Sequence, residues 1–243
     1  MAGDLRPYWQ SADGAITVYH ARWEDVHAAG LVGVPDLIHA DPPYGIALDT
    51  SARWPWLEDF APVVDDDKPF DPAPLLALNR PLVTWGANHY ASRLPDAKGW
   101  IAWDKATRNG LDLKQAEIEF AWTNAFARPW CFRHMWSGAF RDSERGTRLH
   151  PNQKPKALAT YVFQRAKLKP GARVFVPYLG SGPDLPAAQA MGLRVIACDV
   201  ERWCCDTAIG RLGAITAERL ADPIIDPPKP GEHRPQIGLF TPR

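Results

Sequence analysis

Short apolar runs alternate with amphipathic stretches along most of the chain. Ala15–Tyr19 predicts a strand and Trp23–Ala29 a helix closed near Gly30. Pro35–Ala40 is an apolar run with the length and flanks of a buried strand, ending at Asp41, so the chain opens as strand, helix, strand. Leu75–Leu78 read as helical, Pro81–Trp85 as a strand, Asn88–Leu94 as a short helix and Trp100–Trp103 as a strand. Glu117–Trp122 alternates acidic and apolar residues, which predicts a strand with one wet face. Further on come a helix over Ala157–Leu168, a buried strand over Arg173–Val176, a helix from about Asp184 to Met191, a strand over Leu193–Cys198 and a last helix from about Arg202 to Leu212. Strands separated by helices predict an α/β fold with a doubly wound, mostly parallel sheet.

Two stretches break the pattern. From Gly45 to about Pro74 there is no clear period, and Trp54, Trp56 and the acidic run Asp65-Asp66-Asp67 are mixed together. A connection of that length predicts a mobile or ligand-covering loop; the two tryptophans would either cover a ligand or fill a groove. Between Thr123 and Arg148, Arg128, Arg133, Arg141, Arg145 and Arg148 outnumber Asp142 and Glu144 and interleave with Phe126, Trp130, Phe132, Trp136 and Phe140. Such a segment suits nucleic acid, with charge for phosphates and flat faces for unstacked bases, although arginines on a solvated loop are common. The expected organisation is one domain over 1–221, with this segment at about 123–149, and a proline-rich tail over 222–243.

Composition narrows the class only modestly. The chain has 243 residues, 46% hydrophobic and 23% charged, which suits one α/β domain with a large core. Its 28 basic and 28 acidic residues cancel, so any basic face must arise from local clustering. Cys131, Cys198, Cys204 and Cys205 show neither zinc-site spacing nor disulfide density; they predict reduced thiols and no metal, with Cys204 and Cys205 in the core. No apolar run approaches the roughly 20 residues of a membrane span, and the start lacks a signal-peptide core. A cytoplasmic protein is expected.

Three local patterns carry chemistry. Asp41-Pro42-Pro43-Tyr44, followed by Gly45, stands at a strand end, where two prolines hold φ near about −65° and present an acid, free carbonyls and an aromatic ring in nearly fixed geometry. That suits a flat ring bearing an amine; a proline loop closing a strand is the plainer alternative. Pro177-Tyr178-Leu179-Gly180-Ser181-Gly182 follows a strand, precedes a helix, and is followed in turn by a strand ending at Asp199. Glycines there let backbone approach a ligand, and an acid at that distance can bind ribose hydroxyls. The third glycine of a dinucleotide fingerprint is missing. A cofactor with a ribose but no pyrophosphate, such as S-adenosylmethionine, fits better. His150-Pro151-Asn152-Gln153-Lys154-Pro155 precedes the long helix.

In chain order, Asp41–Tyr44, His150–Pro155, the Gly180–Gly182 turn and Asp199 together resemble the β-class DNA amino-methyltransferases, in which the catalytic motif comes early and the cofactor glycines late. The resemblance extends to Thr84–Tyr90, to Trp103-Asp104-Lys105 and to Ala208–Leu212, spanning most of 15–213. It implies a Rossmann-like methyltransferase fold with permuted motif order, and methyl transfer from S-adenosylmethionine to an exocyclic amine in double-stranded DNA. An aspartate heading the tetrad resembles the adenine-N6 enzymes. Asp41, Pro42, Pro43 and Tyr44 would then be catalytic, with Tyr44 stacking on the extruded base. Lys154, Pro177, Tyr178, Gly180, Ser181, Gly182 and Asp199 would face the cofactor, and the five arginines the DNA. A homodimer is compatible with the family.

The chain departs from the family at Val176, where an acid is usual, at Pro183-Asp184, where two threonines are usual, and at His20-Ala21-Arg22, where a further acid is expected. Asp184 would place a carboxylate close to the cofactor's own. Two other functions stay open on sequence alone: a nucleic-acid-binding relative impaired in catalysis, and an amino-methyltransferase acting on cytosine N4 or RNA.

Overall fold

The computed structural model describes residues 5–48, 60–106, 116–137, 140–144 and 149–212. The first strand, β1 (Trp9–Gln10), pairs antiparallel with β2 (Ile16–His20), and α1 (Trp23–Ala28) leads to β3 (Leu37–Ala40). Next come α2 (Ala73–Ala77), β4 (Leu82–Trp85), β5 (Gly99–Asp104), β6 (Ile118–Thr123), β7 (Trp130–Arg133), β8 (Trp136–Ser137) and β9 (Phe140–Arg141). The chain continues through α3 (Lys156–Arg165), β10 (Arg173–Val176), α4 (Asp184–Ala190), β11 (Arg194–Asp199) and α5 (Arg202–Gly210).

Among the described residues nine strands form one sheet in the order β1-β2-β11-β10-β3-β4-β6-β5-β7. The middle block, β2-β11-β10-β3-β4, is parallel throughout, and β6 runs antiparallel to both β4 and β5. Every residue of β3 and β4 is buried, as expected of parallel strands covered on both faces. Successive residues feed opposite layers. Leu37, Val174 and Val176 pack with Leu158, Val162 and Phe163 of α3 and Leu185 of α4, whereas Ile38 and Phe175 pack with Trp23 and Val26 of α1. The fold is thus α/β and doubly wound, as the patterning predicts.

The strand order reverses between β10 and β3. From β10 the sheet grows through β11 to β2, and from β3 it grows the other way to β4. Val174 and Phe175 lie opposite Leu37 and Ile38 in parallel register, so the turn after β10 and the tetrad after β3 emerge side by side. Crevices at such a point are where open α/β sheets bind ligands.

One expectation is corrected. The helix expected over Asn88–Leu94 is two short 3₁₀ turns, Ala87–His89 and Ala91–Arg93. The Tyr90 hydroxyl donates to the Trp85 carbonyl at 2.5 Å and meets Thr84 at 2.7 Å, pinning the middle of the segment against β4. The basic and aromatic segment, for which the patterning gives no element, carries strands β7 to β9. Within the acidic run, buried Asp66 accepts from Gly45 N at 2.9 Å and Leu48 N at 2.8 Å, fastening the described part of the chain after Tyr44. Trp54 and Trp56 lie outside the described residues, as does the tail.

Strand β6 departs most usefully. Ile118 and Phe120 are 43% and 37% exposed, while Glu119 between them turns inward. Alternation fixes which residues share a face, but at the start of this strand the apolar side chains are the exposed ones, and their face becomes buried only at Trp122.

Candidate functional site

A cleft of about 950 Å³, counted out to its open mouth, lies above the carboxyl ends of β3, β10 and β11. Its walls include Asp41, Pro42, Pro43 and Tyr44 from one side and Tyr178, Gly180, Ser181 and Asp199 from the other. Lys154 lines it as well. Residues far apart in sequence are therefore brought to one cavity by the strand order.

At the tetrad end, Lys154 Nζ donates to both Asp41 oxygens at 2.7 Å and to the Tyr44 hydroxyl at 2.8 Å. It is also 2.8 Å from Glu119 Oε1. The Tyr44 hydroxyl lies 2.6 Å from Asp41 Oδ1 and 2.7 Å from Glu119 Oε1. Lys105 Nζ stands 3.4 Å from the other Glu119 oxygen. Two carboxylates and two ammonium groups thus balance around one phenol.

The electrostatics of the pair of acids differ. Burial pushes the Asp41 carboxyl up, Lys154 opposes this, and Glu119 adds to it, leaving Asp41 above the usual carboxylate range. Burial also acts to raise Glu119, but Lys154 and Lys105 outweigh it and hold that carboxyl down at about 2. Glu119 has two lysines where Asp41 has one, which is the physical reason for the split. For Lys154, burial works against the charge, yet Asp41 and Glu119 raise it above the ordinary lysine value. Burial, then the charges of Asp41 and Glu119, keep the Tyr44 phenol well above its usual range.

The Tyr44 ring stacks on His89, with centroids 5.3 Å apart and planes 15° from parallel. Gly86 makes room for that ring. At φ +68° it adopts a conformation that favours glycine, and a Cβ there would lie 2.2 Å from Tyr44 Cδ1 and Cε1. The Thr84–Tyr90 stretch therefore serves as the seat of the tetrad's aromatic residue.

The glycine turn is equally specific. Asp199 accepts from Gly180 N at 2.8 Å and from Glu201 N at 2.9 Å. Burial pushes its carboxyl up to about 6, against the pull of the Glu201 and Gly180 amides. A Cβ on Gly182 would sit 2.3 Å from that of Ala208, so this glycine lets α5 pack against the turn; it is not among the residues lining the cleft. Neither is Pro177, which is buried beneath, its carbonyl 3.7 Å from Cys198 Sγ. Tyr178 does line the cleft, and its hydroxyl accepts from Trp23 Nε1 at 2.9 Å. Lys154, expected on the cofactor side, commits its ammonium to the tetrad end instead.

Arg128 lies 4.3 Å from the Trp130 ring centre and Arg141 4.2 Å from that of Trp136, so both are stacked on aromatic rings of the same segment. Arg165 of α3 covers Trp130 at 3.9 Å. Arg133 is largely exposed, 3.8 Å from Asp104. Arg145 and Arg148 lie outside the described residues.

Sequence patterns missed three members of the site. Glu119 was masked by its alternation with apolar residues; its proximity to Lys105, itself next to the Trp103-Asp104 strand end, is the signal that pairs them. Arg211 donates to the Ser181 carbonyl and hydroxyl, both at 2.9 Å, to the Lys154 carbonyl at 3.3 Å and to Glu144, tying the glycine turn to the segment ahead of α3. His39, an interior residue of β3, donates from Nδ1 to Asp184 and accepts from Trp85 Nε1 at 2.8 Å.

Among the described residues no group of three or more His, Cys, Asp or Glu side chains could hold a metal ion, and no helix is long and apolar enough to cross a membrane.

No protein-family model matches the chain. Among solved structures, the PvuII DNA methyltransferase, which is cytosine-N4-specific, superposes with a TM-score of 0.57 at 11% identity, covering 86% of this chain and 89% of that one. M1.HpyAVI superposes with a TM-score of 0.50 at 18% identity, covering 82% of this chain and 98% of that one. At these identities the likeness is one of fold: the chain has the Rossmann-like fold of these proteins.

Proposed function

We propose that the protein transfers a methyl group from S-adenosylmethionine to the N6 amine of adenine in double-stranded DNA. The observation that carries this reading is the single cleft shared by Asp41–Tyr44 and by the Gly180 turn with Asp199. The glycine turn suits a nucleoside: Gly180 and Ser181 line the cleft, and Asp199 stands with them as a carboxylate for ribose hydroxyls. When bound, the cofactor supplies a methyl group on a sulfonium sulfur, a leaving group that needs no metal.

The tetrad suits the acceptor. The Asp41 carboxylate and the Pro42 carbonyl can each accept a hydrogen from an exocyclic amine, which draws its lone pair out of the ring. Methylation of the amine would leave a surplus proton on its nitrogen, and Asp41, whose carboxyl is held above the usual range, would accept it. Lys154 fixes both Asp41 oxygens and Tyr44 in place beforehand, so that orientation is set before the base enters. Flipping a base out of the duplex costs a few kcal/mol, and stacking on Tyr44 returns about 1 to 3 kcal/mol. The exposed Arg133 supports phosphate contact, and the ring-stacked Arg128 and Arg141 support a rigid surface around it.

A second acceptor, cytosine N4, is favoured by the likeness to the cytosine-N4-specific PvuII enzyme. Mass spectrometry of nucleosides from DNA incubated with protein and cofactor separates the two as N6-methyladenine or N4-methylcytosine. A folded sample that binds cofactor but yields neither product refutes both. Asp41→Ala is expected to abolish product while sparing cofactor binding.

A further inference from the structure

Asp184 opens α4 at the rim of the cleft, and His39 reaches it from β3. Their side chains are only 6% and 5% exposed. The tautomer of His39 follows from its partners. An indole N–H can only donate, so His39 Nε2, facing Trp85 Nε1 at 2.8 Å, must carry a lone pair. The one remaining ring proton sits on Nδ1 and is donated to Asp184 Oδ1. The imidazole is therefore neutral, and the Asp184 charge has no cationic side chain beside it among the described residues.

The second Asp184 oxygen accepts no hydrogen bond from a described residue, and it belongs to a side chain lining the cleft. That oxygen is open to the cleft, where a cationic group could meet it. Nearby, the end of β10 that could have carried an acid is Val176, which is buried and apolar. Asp184 is thus a fixed anionic acceptor on the cleft wall, aimed by a histidine whose own orientation is set by Trp85.

We propose that Asp184 binds the ammonium group of the cofactor's amino-acid arm, with His39 as its positioning residue. This rests on the methyltransferase reading above. It also reverses the sign expected for Asp184: its charge attracts the ammonium rather than opposing the neighbouring carboxylate.

The test is calorimetry with S-adenosylhomocysteine, its deamino analogue and 5′-methylthioadenosine, which lacks the amino-acid arm. Asp184→Asn is nearly isosteric and keeps an acceptor for the His39 proton. Expected for the wild type is a loss of about tenfold or more on going to the deamino analogue. Asp184→Asn should weaken S-adenosylhomocysteine by a similar factor and leave the other two ligands within about twofold, since only the paired charge has been removed. Equal weakening of all three ligands, or none, overturns the assignment and leaves the methyltransferase reading standing. Even if the variant does not fold, equal binding of S-adenosylhomocysteine and its deamino analogue by the wild type overturns the assignment. Failure of the wild type to bind any of the three overturns the methyltransferase reading and this inference together.

Discussion

Lys154 Nζ stands 2.7 Å from both oxygens of Asp41, and the same ammonium stands 2.8 Å from Glu119. The Lys154 side chain is 7% exposed, so this is a buried cation shared between two acids. Removing it leaves two carboxylates facing each other across the Tyr44 hydroxyl. Lys154→Met is expected to cost about 3 to 5 kcal/mol at pH 8, the range for stripping one partner from a buried pair. In the wild type, Glu119 held at about 2 contributes stability that is fully present above its unfolded value near 4.5 and is lost as pH falls through about 2. In the variant, one of the two acids instead keeps a proton well above pH 5. The cost should therefore shrink at pH 5, and urea unfolding at the two pH values measures the difference. An equal cost at both would mean that Lys154 acts by packing rather than by charge.

Glu119→Gln should act through Asp41. With Glu119 neutral, Asp41 loses a neighbouring negative charge and has Lys154 to itself, so its carboxyl moves down. A weaker proton acceptor follows. Methylated-nucleoside formation should fall by about tenfold, a fraction of the roughly 10²- to 10⁴-fold that acid and base catalysis contributes, and the acid limb of the pH–rate profile should move to lower pH. A rate loss with an unmoved acid limb would reduce Glu119 to a structural part.

How much of this was legible in the sequence depends on how local each feature is. The tetrad and the glycine turn are contiguous residues at strand ends, and both stand where the patterning puts them, lining one cleft. Their meeting is legible only through strand order, since parallel neighbours are distant in the chain. Glu119 is not legible: a period of two puts it on one face with Glu117, Ala121 and Thr123, a mixed set that names neither side as core, and only the antiparallel pairing of β6 between β4 and β5 turns it inward. His39 is hidden for a different reason. A histidine in an apolar strand looks like core, and it is core, but it carries a proton to Asp184, which lies on a helix far along the chain. Arg211 likewise acts across distance, through backbone carbonyls that no side-chain pattern records.

Gly86→Ala tests the seat of Tyr44. The residue must hold φ at +68° and its new Cβ would overlap the Tyr44 ring at 2.2 Å. Backbone strain of this kind costs about 1 to 3 kcal/mol, and relief requires the ring to leave His89. Urea unfolding should show that loss of stability, and product formation should fall further than stability does, because the displaced hydroxyl no longer meets Asp41 and Lys154. Unchanged turnover in a folded variant would show that Tyr44 tolerates another position.

If Asp199 accepts the ribose hydroxyls as proposed, it sets a pH dependence on cofactor binding that is separate from the tetrad. Burial raises its carboxyl to about 6, so the ionised form that accepts ribose hydroxyls prevails above that pH and is lost below it. Its effect on folding has the opposite sense: a raised carboxyl favours the folded state at low pH, and that contribution declines as pH rises from about 4 through about 6. Affinity for S-adenosylhomocysteine should therefore be flat above pH 7 and fall by about tenfold per unit below pH 6, while the apoprotein does not lose stability from this group over the same interval. Calorimetry across pH 5 to 8 beside thermal melts of the apoprotein separates the two. In Asp199→Asn, the wild type's affinity above pH 7 should be reduced and the slope below pH 6 should disappear. A slope that survives the substitution would assign the titration to another group in the cleft.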